Sequence, residues 1–290
     1  MAGGALVDVR ASTAARWMPA QSLPGKVRLL PGGAARNVAV NLARLGHTVV
    51  LLSVVGSDPL GRWLMQCTSD AGVDITHVRF RDGSTGVFVT LATPGGEAWS
   101  VADAGLSEAL DAADLEVWSP VIAGAALLVH DANAPESVQR AVSSQAGAVP
   151  RVLLATSPQK ALRLRPVLAG AAAIVCNRPE ALALTGLPDT LGWQALGTAL
   201  LTDGVERVVL TLGPAGVAVL TAEEAVRALA ADVPVVDPAG AGDAVAAVAV
   251  HAYLAGLDPQ ATADLAVAAA AAVVRSEENT PADLATVIPG

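Results

Sequence analysis

Residues 237–243 read Asp-Pro-Ala-Gly-Ala-Gly-Asp, two carboxylates bracketing a glycine turn. Gly240, Ala241 and Gly242 let the backbone turn closely and present successive N–H groups. With the positive end of a following helix, those groups make a site for an anion. A carboxylate at the mouth of an anion site repels its ligand unless it has a chemical task. Taking the proton of an attacking hydroxyl is such a task, so Asp243 is a candidate general base for phosphoryl transfer. As a bare residue it equally reads as an N-cap, a common occupant of helix starts. A strand-like run at 233–236 leads into the turn, and an Ala/Val-rich helix over 244–257 leaves it.

Residues 31–46 hold a second constellation, Pro-Gly-Gly-Ala-Ala-Arg-Asn-Val-Ala-Val-Asn-Leu-Ala-Arg-Leu-Gly. Here Gly32 and Gly33 open a helix whose apolar face carries Val38, Leu42 and Leu45 and which stops at Gly46. Asn37, one turn in, both donates and accepts hydrogen bonds, as sugar hydroxyls require. Taken singly, Gly32-Gly33 is a turn.

Together the two motifs resemble the ribokinase-like (PfkB) family of carbohydrate and nucleoside kinases. That family carries Gly-Gly-x-x-x-Asn near its start and Asp-Thr-x-Gly-Ala-Gly-Asp near its end, in this order and at this separation. The resemblance covers nearly the whole chain. It implies an ATP-dependent kinase with Mg²⁺ and a K⁺ ion, and a homodimer formed through a β-sheet lid. It also assigns roles by position. Asp8 holds sugar hydroxyls, Glu180 of Asn177-Arg178-Pro179-Glu180 holds Mg²⁺ through water, and the Thr211–Gly216 turn, with Gly213 inside it, meets the nucleotide with Asn177. Residues 276–280 close a cation loop with those around Asp237. Read without the resemblance, Asp8 is a turn or cap and 211–216 a β-turn between strands.

Within the family, Pro24-Gly25-Lys26 ahead of Pro-Gly-Gly-x-x-Arg-Asn resembles pseudouridine kinases, as do the segments around Asp103 and 129–133. Lys26, Asp103 and Asn133 thereby become candidates for a nucleoside pocket, a suitable donor and acceptor mix for two imide N–H groups and two carbonyls. As bare residues, Lys26 reads as a solvated lysine and Asn133 as a turn. The expected function is phosphorylation of the 5′-hydroxyl of pseudouridine. The alternatives are ribokinase or another sugar or nucleoside kinase and, from another class, a non-catalytic nucleoside-binding relative. Two departures bear on this: the family's hydroxyl residues after Asp237 are Pro238 and Ala239, and an acidic Asp-Pro pair near 156 is replaced by Thr156-Ser157-Pro158. No G-x-G-x-x-G follows the first strand, which argues against a dinucleotide-dependent dehydrogenase.

The elements that must position these residues alternate. Strand-like runs at 48–54, 126–130, 151–155, 172–176, 207–212 and 217–220 are separated by helical patterns. This is the pattern of an α/β fold with a doubly wound, mainly parallel sheet flanked by helices. Segments 10–30 and 80–101 break the rhythm with short alternating runs, including a hairpin of 85–93 with 98–101. They read as the small β-sheet lid of a single domain over residues 1–290. Residues 2–8 read as the end of a first strand. The 290 residues are 53% hydrophobic and 16% charged, enough for a large core. A net charge of −9 argues against nucleic acid or an anionic membrane as partner. The two cysteines, Cys67 and Cys176, lie far apart and imply neither zinc nor a disulfide framework. No basic leader opens the chain and no apolar run approaches the ~20 residues of a membrane span, so cytoplasm is expected.

Overall fold

A computed structural model describes residues 1–15, 22–92, 98–282 and 284–287. In chain order the elements are β1 (Leu6–Ser12), β2 (Lys26–Gly32), α1 (Ala34–Arg44), β3 (Val54–Gly56), α2 (Pro59–Asp70), β4 (Arg79–Arg81), β5 (Val87–Ala92), β6 (Ala98–Asp103), α3 (Ala112–Ala123), β7 (Leu128–Asp131), α4 (Glu136–Ala146) and β8 (Arg151–Leu154). There follow α5 (Pro158–Ala161), β9 (Ala173–Asn177), α6 (Arg178–Thr185), α7 (Trp193–Thr202), β10 (Val208–Thr211), β11 (Val217–Leu220), β12 (Ala225–Ala228), α8 (Ala241–Leu254), α9 (Pro259–Val274) and α10 (Leu284–Val287).

The main sheet runs β12-β11-β10-β9-β8-β7. Strands β7 to β10 are parallel, and β11 and β12 return antiparallel. Beyond β7, Ala2 forms isolated parallel bridges to both His130 and Leu52, so of the first strand expected over 2–8 only this start reaches the main sheet, while residues 6–8 open β1 of the small one. The parallel strands are apolar on both faces because both are covered. Side-chain alternation sorts them. Val152, Val175 and Val209 pack beneath α1, α8 and α9, whereas Leu153, Ile174 and Leu210 pack beneath α5, α6 and α7. Helix α8 is buried along nearly its whole length, Ala244 to Val250 and Ala252. Its alanines let α1 and α9 pack against it.

The segments set apart as a lid form a separate sheet, β2-β1-β5-β6. Its β5–β6 pairing is antiparallel from Val87↔Asp103 to Ala98↔Ala92, the hairpin read from the sequence. The residues that join these two strands, 93–97, lie outside the described residues. Strand register places Leu29, Val9, Val89 and Val101 in one cross-strand row and Val27, Ala11, Leu91 and Trp99 in the next, so these rows share a face. Leu30, Asp8, Phe88 and Ala102 line up on the other face, toward the main sheet.

Two local expectations are corrected. The run 233–236 is not a strand. The N–H groups of Val236 and Asp237 both turn to the Val274 carbonyl, leaving Val235 and Val236 exposed. The helix after it starts three residues earlier than the sequence indicates, at Ala241, with Gly240 as its N-cap. Asp243 therefore stands inside the first turn and is not the cap.

Candidate active site

The carboxyl ends of β7, β8, β9 and β10 open into a cavity of about 470 Å³, lined among others by Asn133, Thr156, Asn177 and Thr211. This is where a doubly wound sheet places its ligands. The first turn of α8 forms one wall with Gly240, Gly242 and Asp243, the small sheet contributes Leu6, Asp8, Phe88 and Ala102, and α1 contributes Gly33, Ala34 and Asn37. A second, more apolar cavity of about 670 Å³ adjoins it, lined by Gly213, Gly216, Val235, Pro238, Ala241 and Val245. Thr211 and Gly242 line both. Asn177 belongs to the first cavity and not to the second.

The turn between the cavities depends on Gly240. Its φ is +87°, and an added Cβ would stand 2.4 Å from the Asn279 carbonyl oxygen. Only glycine fits that approach. The Ala241 N–H turns back to the Pro238 carbonyl at 3.3 Å, and the first i→i−4 bond of α8 runs from Ala244 to Gly240. The N–H groups of Gly242 and Asp243 precede that bond, so they are the ones placed for an anion.

Asp243 is held from α1. The Asn37 side-chain amide donates to its Oδ2 at 2.8 Å. The buried Arg36 fixes which way that amide points, because its Nη1 donates to Asn37 Oδ1 at 3.2 Å and its Nε donates to Thr68 Oγ1 at 3.1 Å. Asp243 is half-buried in the cavity wall, and the like charges of Asp8, Asp131 and Glu180 add to the cost of ionising it. Burial is the larger cause, and together they push its carboxyl up to about 7 despite the Asn37 hydrogen bond. A carboxylate poised there accepts a proton at neutral pH, beside N–H groups aimed at developing negative charge.

Glu180 lines the same cavity. It and Asn177 form a reciprocal capping box on α6. The Asn177 N–H donates to Glu180 Oε2 at 2.8 Å and the Glu180 N–H donates to Asn177 Oδ1 at 2.9 Å. Burial raises the Glu180 carboxyl to about 7. Among the described residues no group of three or more His, Cys, Asp or Glu side chains could hold a metal ion. A lone acidic group suits an ion that keeps most of its waters and phosphate ligands.

At the far end Asn133 is held on both sides. Its Nδ2 donates to Asp131 Oδ2 at 2.8 Å, and its Oδ1 accepts from Lys160 Nζ at 2.8 Å. Asp8 sits by Gly32 and accepts from Asn279 Nδ2 at 2.5 Å, and burial raises its carboxyl above the usual range. Thr156 is a branched residue at φ +28°, in the left-handed region that costs about 1–3 kcal/mol to occupy. Its Oγ1 is buried with no hydrogen-bond partner among the described residues, which leaves that hydroxyl for a ligand. Cys176 also lines the cavity, but burial pushes its thiol up, so it is no nucleophile.

The structure thus gathers Asp8, Gly33, Asn37, Asn133, Asn177, Glu180, Thr211, Gly240, Gly242 and Asp243 around one cavity. It sets Ala241, Gly213 and Gly216 around the second. Two residues expected in a nucleoside pocket stand outside both. Lys26 is exposed at the outer end of β2, opposite Ser12. Asp103 pairs with Val87 on the opposite face of its sheet, and its Oδ1 accepts from the Gly105 N–H at 2.9 Å. Lys160, Thr156 and Asn279 are site residues that no motif marked individually. The signals for them are weak: a Ser-Pro helix start for Lys160, and for Asn279 only its place in the 276–280 segment.

The sequence matches the family described as pfkB family carbohydrate kinase over residues 2–284. It is 32% identical over 222 residues to the pseudouridine kinase of Escherichia coli (strain K12), covering 74% of this chain and 70% of that one. In structure it is similar to a carbohydrate kinase from Agrobacterium tumefaciens, with a TM-score of 0.81, 28% identity, and 96% and 91% of the two chains covered. It is also similar to Arabidopsis thaliana ribokinase complexed with ribose and ATP, with a TM-score of 0.83, 22% identity, and 98% and 96% covered. The latter is a likeness of fold.

Proposed function

The chain belongs to the pfkB family of carbohydrate kinases, and from that premise we propose that it transfers the γ-phosphoryl group of ATP to the 5′-hydroxyl of pseudouridine. The observation that carries the chemistry is Asp243, a carboxyl raised to about 7 where two cavities meet at a helix N-terminus. The acceptor occupies the cavity of Asp8, Asn37 and Asn133, and the nucleotide the apolar cavity of Gly213 and Gly216. Asp243 takes the hydroxyl proton. The N–H groups of Gly242 and Asp243 stabilise charge on the phosphoryl group in flight. Asp8 and Gly33 orient the ribose. Asn37 positions Asp243 as well as the sugar. The small sheet over the cavity excludes water, so that the nucleotide is not hydrolysed. Glu180 would hold Mg²⁺ through water, and that ion when bound neutralises phosphate charge. Cytoplasm is the proposed compartment. Among the described residues, no helix is long and apolar enough to cross a membrane.

The acceptor assignment rests on the sequence likeness and on Asn133 with Lys160, which offer donors and acceptors to a base. A site built from such groups rejects a ligand that leaves them unpaired. Phosphorylation of pseudouridine is expected at kcat/KM roughly tenfold or more above that of ribose, measured by coupled nucleotide assay. One observation favours a plain sugar as acceptor: Lys26 and Asp103 stand away from the cavity. Equal or better turnover of ribose or fructose would replace pseudouridine with a sugar and leave the kinase reading intact.

The homodimer is proposed to form through the outer face of the small sheet. Val27, Leu29, Trp99 and Val101 are each at least half exposed there, a contiguous apolar patch of the kind that marks an interface. Sedimentation is expected to give a dimer, and Val101→Lys with Val27→Glu to give a monomer. A monomeric unmodified protein would count against the interface.

A further inference from the structure

The monovalent-cation loop that the family resemblance implies meets an obstacle here. Both oxygens of its acidic residue, Asp237, are already engaged. Oδ1 accepts from the Ala239 N–H at 2.9 Å, and Oδ2 accepts from the Arg10 guanidinium. Arg10 comes from β1, in the small sheet. Its second terminal nitrogen donates to Asn279 Oδ1 and lies 4.0 Å from Asp8 Oδ2. Asn279 in turn donates to Asp8, and its carbonyl backs Gly240, the N-cap of the anion turn. One fork therefore ties together the entrance of the turn, the segment behind it and a residue of the acceptor cavity. Arg10 and Asp237 are both largely shielded, their side chains 17% and 26% exposed. An ion bound to this carboxylate would have to displace a guanidinium that is already anchored to it.

We propose that Arg10 does in this protein what a bound monovalent cation would do: it neutralises Asp237, shapes the 237–240 turn, and makes that turn independent of K⁺. A tethered guanidinium has advantages over an ion. It brings no translational cost on binding, and its planar fork reaches Asp237 and Asn279 at once, which a point charge does not. The flanking residues agree. Pro238 fixes its own φ and offers no N–H, and Ala239 has no hydroxyl to turn toward an ion, so the loop is stiffened covalently as well as electrostatically. Arg10 contacts none of the reacting groups. It is a positioning residue, and it also links the small sheet to the anion turn, so that the acceptor wall and the phosphate wall share a brace.

The test compares KCl with tetramethylammonium chloride at constant ionic strength, in the unmodified protein and in Arg10→Ala. The rate arm rests on the phosphotransferase reading. The melting arm needs neither nucleotide nor acceptor, so a failure of the acceptor assignment leaves it standing. For the unmodified protein, rate is expected to change less than about twofold with K⁺, and melting temperature by less than about 1 °C. In Arg10→Ala the freed carboxylate becomes an ion site. K⁺ is expected to raise melting temperature by about 2 °C or more through mass action, and to restore rate about fivefold or more from a depressed starting value. Asp237→Asn keeps an acceptor for the Ala239 N–H but offers no full charge, so it should stay indifferent to K⁺ even if Arg10→Ala folds poorly. Steep K⁺ activation of the unmodified protein would overturn the proposal. So would an Arg10→Ala variant whose rate and melting ignore K⁺, because the arginine would then be only a structural tie, or an Asp237→Asn variant that responds to K⁺ as steeply as Arg10→Ala.

Discussion

Asp243→Asn is expected to turn over about 10² to 10⁴ times more slowly than the unmodified protein and, at pH 8, to melt at a higher temperature. The first effect follows from losing the proton acceptor at the end of the Arg36–Asn37–Asp243 chain, whose geometry an asparagine keeps by accepting from Asn37. The second follows from the direction of the pKa shift. An aspartate in the unfolded chain ionises near 3.8, whereas Asp243 in the fold holds its proton to about 7. Between those values the folded state binds more protons than the unfolded one, so stability falls as pH rises through that window and levels off above it. Asparagine has no such titration. It should recover about 1–3 kcal/mol at pH 8, a few degrees in melting temperature, and none of this below pH 4. The same carboxyl gives kcat/KM a rising limb near pH 7. Glu180 lies in the same range and its charge adds to the shift of Asp243, so the limb reports both groups. Turnover of the variant within tenfold of normal would remove Asp243 from the reaction. A variant less stable at pH 8 would show that burial of this carboxyl carries no strain.

The two glycine motifs made the site legible because each is a local device. A Gly-rich turn opening a helix states its own geometry, and both turns sit where the sequence places them. The β11 strand, Val217–Leu220, was likewise plain, as an apolar run bounded by a glycine turn. The misread run 233–236 looked like a strand for the same local reason, being apolar and β-branched. Its backbone hydrogen bonds go to the end of α9, a partner 38 residues on, and no local pattern announces that. Lys26 and Asp103 fail differently. Asp103 pairs with Val87 on the outer face, which strand register alone decides, whereas Lys26 shares the face of Asp8 but stands at the exposed far end of β2, opposite Ser12. Arg10 and Asn279 were invisible singly because what matters about them is a meeting across 269 residues.

Asp131 is the strongest case of that kind, and Asp131→Ala is expected to cost about 3–5 kcal/mol of stability. In the sequence it is one charge closing an apolar strand. In the fold it is buried and accepts from four N–H groups. Its Oδ2 takes the Gly4 N–H at 2.9 Å, the Ala35 N–H at 3.2 Å and Asn133 Nδ2 at 2.8 Å, and its Oδ1 takes the Asn133 N–H at 2.9 Å. Gly33, the N-cap of α1, has no side chain to satisfy the helix's first N–H groups, so Asp131 caps that helix from a distant strand. Gly33 itself sits at φ +96° against the Gly4 carbonyl, where a Cβ would approach to 2.5 Å. One carboxylate thus fixes the first strand, the start of the helix carrying Asn37, and Asn133 in the acceptor cavity. Alanine leaves these donors buried without an acceptor, each costing about 1–3 kcal/mol if water does not replace it. Asp131→Asn retains one good acceptor but turns an N–H toward donors, so it should lose less, about 1–3 kcal/mol. Urea unfolding with an unchanged m-value measures both. Losses below about 1 kcal/mol in Asp131→Ala would mean that water satisfies the donors and that this carboxylate is not what joins the three segments.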